Sequence, residues 1–332
     1  MKLVRLLVFG LMFVVSGVAL MVILLIKAPG QDQTKERFVI NIGTSEEKII
    51  DGLYQKGFIR NKSIFSAILT SKGWHGKIQP GSYQISRSMN AYDLAKILVS
   101  EPYQRWVIIL PGKRKEQTAL VLRQTFNWSE DKVKQFLDTA EEGYLYPDTY
   151  LINTDYSPAE VYQKIKNNFN DKFDAKLQTD LLAQNIRNDT AIKIASLIER
   201  ESGGAEDKPI IAGILWNRLN KGMKLEIDAT IQYGLVSRKL SQITNNQLLI
   251  TGIDWWPKII PDDIKNLVSP YNTYLTEGLP PGPICSPTVE SIKAVAYPSE
   301  TDTLYYLHSP DKKIHTAKTY AEHLQNIEEF LR

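Results

Sequence analysis

Positions 6 to 26, LLVFGLMFVVSGVALMVILLI, form an apolar run without a single charge. As a helix rising about 1.5 Å per residue it would reach about 30 Å, one bilayer core, so it predicts a transmembrane span. A cleavable signal peptide has a shorter apolar region followed by a small-residue site. Here the apolar residues continue up to Lys27, Ala28 and Pro29, which favours an uncleaved anchor. Lys2 and Arg5 precede the run while Lys27, Lys35 and Arg37 follow it, so charge leaves the orientation open. Residues 28–37 read as a short polar linker.

Past the linker the apolar spacing alternates between strand and helix periods. RFVINI (37–42) is strand-like; Thr44 with Glu47 makes a capping-box pattern, and Ile49, Ile50 and Leu53 give the following helix its apolar stripe. GKIQPGSYQI (76–85) reads as a turn into a strand, and NAYDLAKILVS (90–100) as a second capped helix. Residues 36–103 therefore predict a small α+β module. With no clustered His, Cys or acidic residues, it suits binding or spacing better than catalysis. A second strand, turn and helix follow in 105–126, then a helix pair leads to EEGYLYPDTYLI (141–152). Pro147 and Asp148 favour a turn there, and the tyrosines around it, Tyr146 among them, form either a buried corner or one wall of a groove.

The segment AIKIASLIERES (191–202) predicts a helix that Asn188, Asp189 or Thr190 can cap and that Gly203 and Gly204 end. At about 100° per residue, Ala191, Ile194, Ala195 and Ile198 form the central apolar stripe. Glu199 falls on one border of that stripe and Glu201 on the other, while Lys193 and Arg200 share the polar face. Partial burial and the negative end of the helix dipole both predict a raised pKa for Glu199, hence a proton held for general acid work. A helix-end glutamate paired with Arg200 or another base is the competing reading.

Composition narrows the chemistry. The 332 residues suggest two or three units, and a hydrophobic fraction of 43% is ample for a core. A net charge of +3 with dispersed Lys and Arg gives no nucleic-acid footprint; the short run Lys113, Arg114, Lys115 reads as a solvated loop. Cys285 is alone and reads as a small packed residue. The four histidines, His75, His308, His315 and His323, are scattered, so no metal site is expected, and no cofactor motif is present. Ser-x-x-Lys matches at Ser45, Ser129 and Ser309 lack the companion motifs of a serine acyltransferase, which leaves carboxylate chemistry. Downstream, Pro209 stands near the start of a helix carrying Trp216, Asn217 and Arg218, and Glu226, Asp228, Gln232 and Tyr233 supply a second polar group. The stiff polar-aromatic stretch SPYNTYLTEGLPPGPICSPT (269–288), which holds Tyr271 and Asn272, has the length and composition of a functional loop.

Four motifs in this order, EGYLYPDTY, ASLIERES, WNRLNKGMKLEIDATIQYG and SPYNTYLTEGLPPGPI, resemble the endolytic murein transglycosylases of the YceG-like family along essentially the whole chain. Ser202, Ala229 and the stretch Cys285, Ser286, Pro287, Thr288 depart from the family's usual Thr, Pro and Asn-Pro-Gly-like turn. The resemblance implies an α+β protein in three parts: a cytoplasmic tip and anchor (1–30), a linker with a LysM-like peptidoglycan-binding module (31–103), and a mixed α/β catalytic domain (104–332). It implies a single-pass inner-membrane protein whose soluble part is periplasmic, acting on peptidoglycan glycan strands, with peptidoglycan synthases as plausible partners. It matches the family's catalytic glutamate to Glu199. The implied reaction cleaves the MurNAc–GlcNAc β-1,4 bond within strands and leaves 1,6-anhydro-MurNAc ends. Asp228, Gln232, Tyr271, Asn272, Tyr146 and Glu201 are then expected to orient the glycan. A hydrolytic muramidase, with Glu201, Glu226 or Asp228 as second carboxylate, and a non-catalytic peptidoglycan-binding scaffold are the alternatives.

Overall fold

A computed structural model describes residues 2–242 and 252–331. The chain forms two compact units, one made of Met1–Val107 with Tyr150–Asp155, the other of Ile108–Thr149 with Tyr156–Arg332. In the first unit the N-terminal apolar run is helix α1 (Lys2–Ile26). Its stretch Val8–Ile26 has a mean hydropathy of 2.8, long and apolar enough for a single-pass anchor or a signal sequence.

Strand β1 (Glu36–Ile40) buries Phe38 and Ile40 on one face, as its alternation predicts. It pairs antiparallel with β2 (Gly81–Ile85), placing Phe38 opposite Tyr83. Between them lie α2 (Glu46–Gln55) and α3 (Lys62–Ser71), and α4 (Ala91–Leu98) follows. Strands β3 (Gln104–Ile108) and β4 (Thr149–Asn153) extend the sheet to the order β1-β2-β3-β4. The expected boundary at 103 thus falls just before a strand that continues the first sheet. The α2 cap is shifted one residue from the Thr44 pattern: Ser45 is the N-cap and its hydroxyl accepts from the Lys48 N–H. The expected capping box with Glu47 does not form, and Glu46 accepts from the Gly76 N–H and pairs with His75. Leu53, Phe65, Leu69, Ile85, Leu94 and Leu98, all fully buried, fill the core.

The second unit is largely helical: α5 (Lys115–Phe126), α6 (Glu130–Thr139), α7 (Pro158–Lys172), α8 (Ala175–Ala183), α9 (Asn188–Glu201), α10 (Asp207–Asn220), α11 (Asp228–Ser241), α12 (Pro261–Asn266) and α13 (Val289–Ala296). A hairpin of β5 (Tyr305–His308) and β6 (Ile314–Ala317) and the helix α14 (Tyr320–Phe330) complete it. Helix α9 is its axis, flanked by α8, α10, α11 and α13. Beyond the predicted stripe it also buries Ile192, Ser196 and Leu197, so its buried face is wider than the stripe alone. Its N-cap is Arg187, which makes no side-chain cap bond; none of the three expected residues fills that position.

The basic run at 113–115 is not a solvated loop. Arg114 is 1% exposed: its guanidinium lies 4.0 Å from the Tyr233 ring centre, bonds Glu116 and Ser237, and donates to the Tyr233 carbonyl. Lys115 donates its ammonium to the Leu137 and Ala140 carbonyls. Cys285 is buried, as expected of a packed residue, with its thiol donating to the Ser196 carbonyl.

Candidate functional site

Helix α9 delivers Glu199 to the point where two other elements bring donors. Thr288 is the N-cap of α13 and Ser291 lies in that helix's first turn; Lys208 lies in the first turn of α10. Glu199 Oε2 accepts from the Lys208 ammonium (3.1 Å), the Thr288 N–H (2.9 Å), the Thr288 hydroxyl (2.8 Å) and the Ser291 hydroxyl (2.6 Å). Among the described residues no donor reaches Oε1. The carboxyl side chain is 8% exposed and that of Lys208 10%.

This geometry reverses the expected proton affinity of Glu199. Burial does push the carboxyl up, but the Ser291 hydroxyl, the Thr288 N–H and the Lys208 charge together outweigh it, so the carboxyl sits below its ordinary value. The negative end of α9 was the expected influence. The positive N-terminus of α13, whose orphan N–H at Thr288 points at the carboxylate, opposes it.

Backbone closeness at two glycines shapes the surroundings. Gly112 has φ +68°, and a Cβ there would stand 3.3 Å from Arg200 Nη1 and 4.0 Å from Glu199 Cγ. Gly143 has φ +88°, and a Cβ would clash with Pro283 at 2.7 Å. The turn at Gly112 thus meets the end of α9, while the aromatic segment at Gly143 meets Pro283 of the 269–288 loop and Ile192 nearer the start of α9. Arg200 does not pair with Glu199; its guanidinium lies 3.9 Å from the Trp256 ring centre.

Tyr146 is 8% exposed and belongs to the core packed on α9, which is the buried-corner reading. It is also a neighbour of the carboxyl: burial, then the Glu290 charge, and more weakly that of Glu199 push its phenol up, while the Val289 backbone opposes them. Glu201 faces away from this cluster. It accepts from the Tyr306 hydroxyl at 2.8 Å, and burial together with the Asp228 charge pushes its carboxyl up. Glu201 and Asp228 share a cavity of about 280 Å³ with Arg218, Glu226, Tyr274 and Tyr305, and Asp228 accepts from Tyr274 at 2.6 Å.

The other expected glycan-orienting residues are engaged in holding loops. Gln232 donates to the Pro257 carbonyl at 2.9 Å. Tyr271 packs on Tyr233 with ring centres 4.7 Å apart. Asn272 is fully buried; its amide donates to the Ile264 and Leu267 carbonyls and accepts from the Tyr274 N–H. Sequence reasoning missed Lys208, Thr288 and Ser291. One signal was present: Thr288 ahead of the apolar spacing Val289, Ile292, Val295 is a helix start, which puts free N–H groups there. Among the described residues, no group of three or more His, Cys, Asp or Glu is placed to hold a metal.

Together these features define a mixed α/β protein with a membrane-length apolar helix and a buried carboxyl that has one oxygen clamped and the other met by no donor among the described residues. The chain belongs to the YceG-like family, whose model matches residues 38–329. An endolytic murein transglycosylase of Bacillus subtilis (strain 168) is 26% identical over 333 residues, covering 91% of this chain and 87% of that protein. One of Streptococcus pneumoniae serotype 2 is 25% identical over 334 residues, 86% of this chain; the match spans 57% of the pneumococcal protein's length. A crystal structure of a yceG-like protein from Listeria monocytogenes matches with TM-score 0.59 and 26% identity over 89% of this chain and 99% of that one.

Proposed function

We propose that this protein is an endolytic lytic transglycosylase of peptidoglycan, a lyase that cleaves the MurNAc–GlcNAc β-1,4 bond inside glycan strands and so terminates their elongation. The observation that carries the proposal is the carboxyl of Glu199, buried and clamped through Oε2 with no donor on Oε1 among the described residues, in a chain whose named relatives are murein transglycosylases.

Protonated on Oε1, Glu199 gives its proton to the glycosidic oxygen as the bond from that oxygen to MurNAc C1 breaks. The resulting carboxylate takes the proton of the MurNAc 6-hydroxyl as that oxygen closes on C1. The carboxyl ends protonated again, now with the proton of the 6-hydroxyl, while its own proton has left on the glycosidic oxygen, and no water is consumed. One carboxyl serves both steps, whereas hydrolysis needs a second at a set separation. The separate placement of Glu201 and Asp228 in a cavity of their own supports the one-carboxyl reading. Because the donors around Oε2 favour the anion, the first step draws on a minor protonated population.

Residues 31–103 serve as a LysM-like glycan-binding module and 104–332 as the catalytic domain. The N-terminal helix anchors the chain in the inner membrane with both units on the periplasmic side, beside peptidoglycan synthases. The test is full-length Glu199→Gln in detergent on uncrosslinked glycan: cleavage should fall by about 10²- to 10⁴-fold with unfolding unchanged. Cleavage at the wild-type rate would overturn the assignment.

A further inference from the structure

We propose that Lys208, Thr288 and Ser291 are positioning residues that clamp Glu199 Oε2 and thereby make Oε1 the oxygen that exchanges the proton. This rests on Glu199 being the acid and base. A carboxyl turning about its last torsion has two nearly equivalent oxygens, since that torsion is broad and roughly two-fold. Here the equivalence is broken: four donors meet one oxygen and none among the described residues meets the other.

The clamp is one connected network. Thr288 stands at the N-cap of α13, but its hydroxyl does not cap that helix. It accepts from the Lys208 ammonium at 2.8 Å and donates to Glu199 instead. Ser291 is fully buried, so water does not compete for its 2.6 Å bond. Every member donates to the carboxylate, so the network fixes orientation and proton affinity by the same contacts.

The other groups near Glu199 are turned elsewhere. Arg200 stacks on Trp256, the Tyr146 phenol is pushed up by burial and by the charge of the exposed Glu290, and the Cys285 thiol donates to the Ser196 carbonyl. Gly112 comes close with backbone alone, and its N–H donates to the Ser286 carbonyl. Lys208 is therefore the one cation in contact with the carboxylate among the described residues.

Removing a donor weakens the hold on the anion, so the carboxyl keeps its proton to higher pH. At the same time the two oxygens become interchangeable and fewer molecules present the proton correctly. Full-length Ser291→Ala should move the descending, high-pH limb of kcat/KM upward by about one pH unit and lower the low-pH plateau of kcat by about tenfold, with KM unchanged. Ser291→Thr, which restores the hydroxyl, should return both towards wild type. Thr288→Val, which keeps the N–H and removes the hydroxyl, should shift the limb in the same direction. A limb at its wild-type position in both Ser291→Ala and Thr288→Val would overturn the proposal, because a merely structural role lowers the melting temperature without moving the limb. Should Ser291→Ala not fold, Thr288→Val alone decides by the same criterion. Glu199→Gln in parallel separates the two failures: if it cleaves normally, the reading of Glu199 falls, whereas if it is inactive and the limb does not move, only the clamp falls.

Discussion

Glu199 and Glu201 leave the same last turn of α9 two residues apart, on opposite borders of the same buried helix. Glu199 meets an ammonium, two hydroxyls and a helix N–H, and its carboxyl is held below the ordinary value despite burial. Glu201 meets one phenol and faces Asp228 across a cavity, and burial pushes its carboxyl up. Position along a helix decides how far a carboxyl is buried. The element packed against it decides which protonation state that burial favours, because donors stabilise the anion and a second carboxylate opposes it.

The largest expected effect breaks the pair apart directly. Glu199→Gln should abolish glycan cleavage by about 10²- to 10⁴-fold, while Glu201→Gln, with its carboxyl outside the proton exchange, should lower it by less than about tenfold. Equal losses measured on the same glycan would remove the distinction between the two borders.

Next comes the pH profile of the wild-type chain. The free enzyme must carry a proton on a carboxyl held below its ordinary value of 4.5. Log kcat/KM should therefore fall by about one unit per pH unit above that pKa, the signature of a minor protonated form. A profile flat from pH 5 to pH 8, on the order of the usual working range, would contradict an acid held by donors.

A third carboxyl sharpens the rule through stability. Glu142 lies near the Glu116 carboxylate, and burial first, then that charge, push it from 4.5 to about 8. Between those values the folded chain keeps a proton that the unfolded chain releases, so stability should fall as pH rises through the window. Glu142→Gln should flatten that slope in thermal unfolding and gain about 1 to 4 kcal/mol at pH near 8, with little change near 4.5. The smallest effect is at Tyr306: Tyr306→Phe removes the hydroxyl that Glu201 accepts, and should lower stability by about 1 kcal/mol with cleavage nearly unchanged.

What the sequence disclosed follows contact range. The N-terminal apolar helix, β1, α4 and α9 rest on periods of a few residues and were legible, including the two borders that carry Glu199 and Glu201. The choice between those borders came from family resemblance, because the difference lies in partners far along the chain. Lys208 is nine residues from Glu199, whereas Thr288 and Ser291 are 89 and 92 away. Arg114 misled for the same reason: a short basic run looks solvated until Tyr233, 119 residues on, covers it. Asn272, expected to orient the glycan, has its amide enclosed by the loop it helps to fold. Loop composition gave no means of telling a ligand contact from a backbone tie.

The central claim is that one carboxyl transfers the glycosidic bond to the sugar's own hydroxyl. It is tested most directly by mass spectrometry of the products that the full-length protein makes from uncrosslinked glycan in water enriched in heavy oxygen. The account predicts 1,6-anhydro-MurNAc ends with no label from solvent, absent in Glu199→Gln. Reducing ends that carry the heavy oxygen would contradict it and make the enzyme a hydrolase.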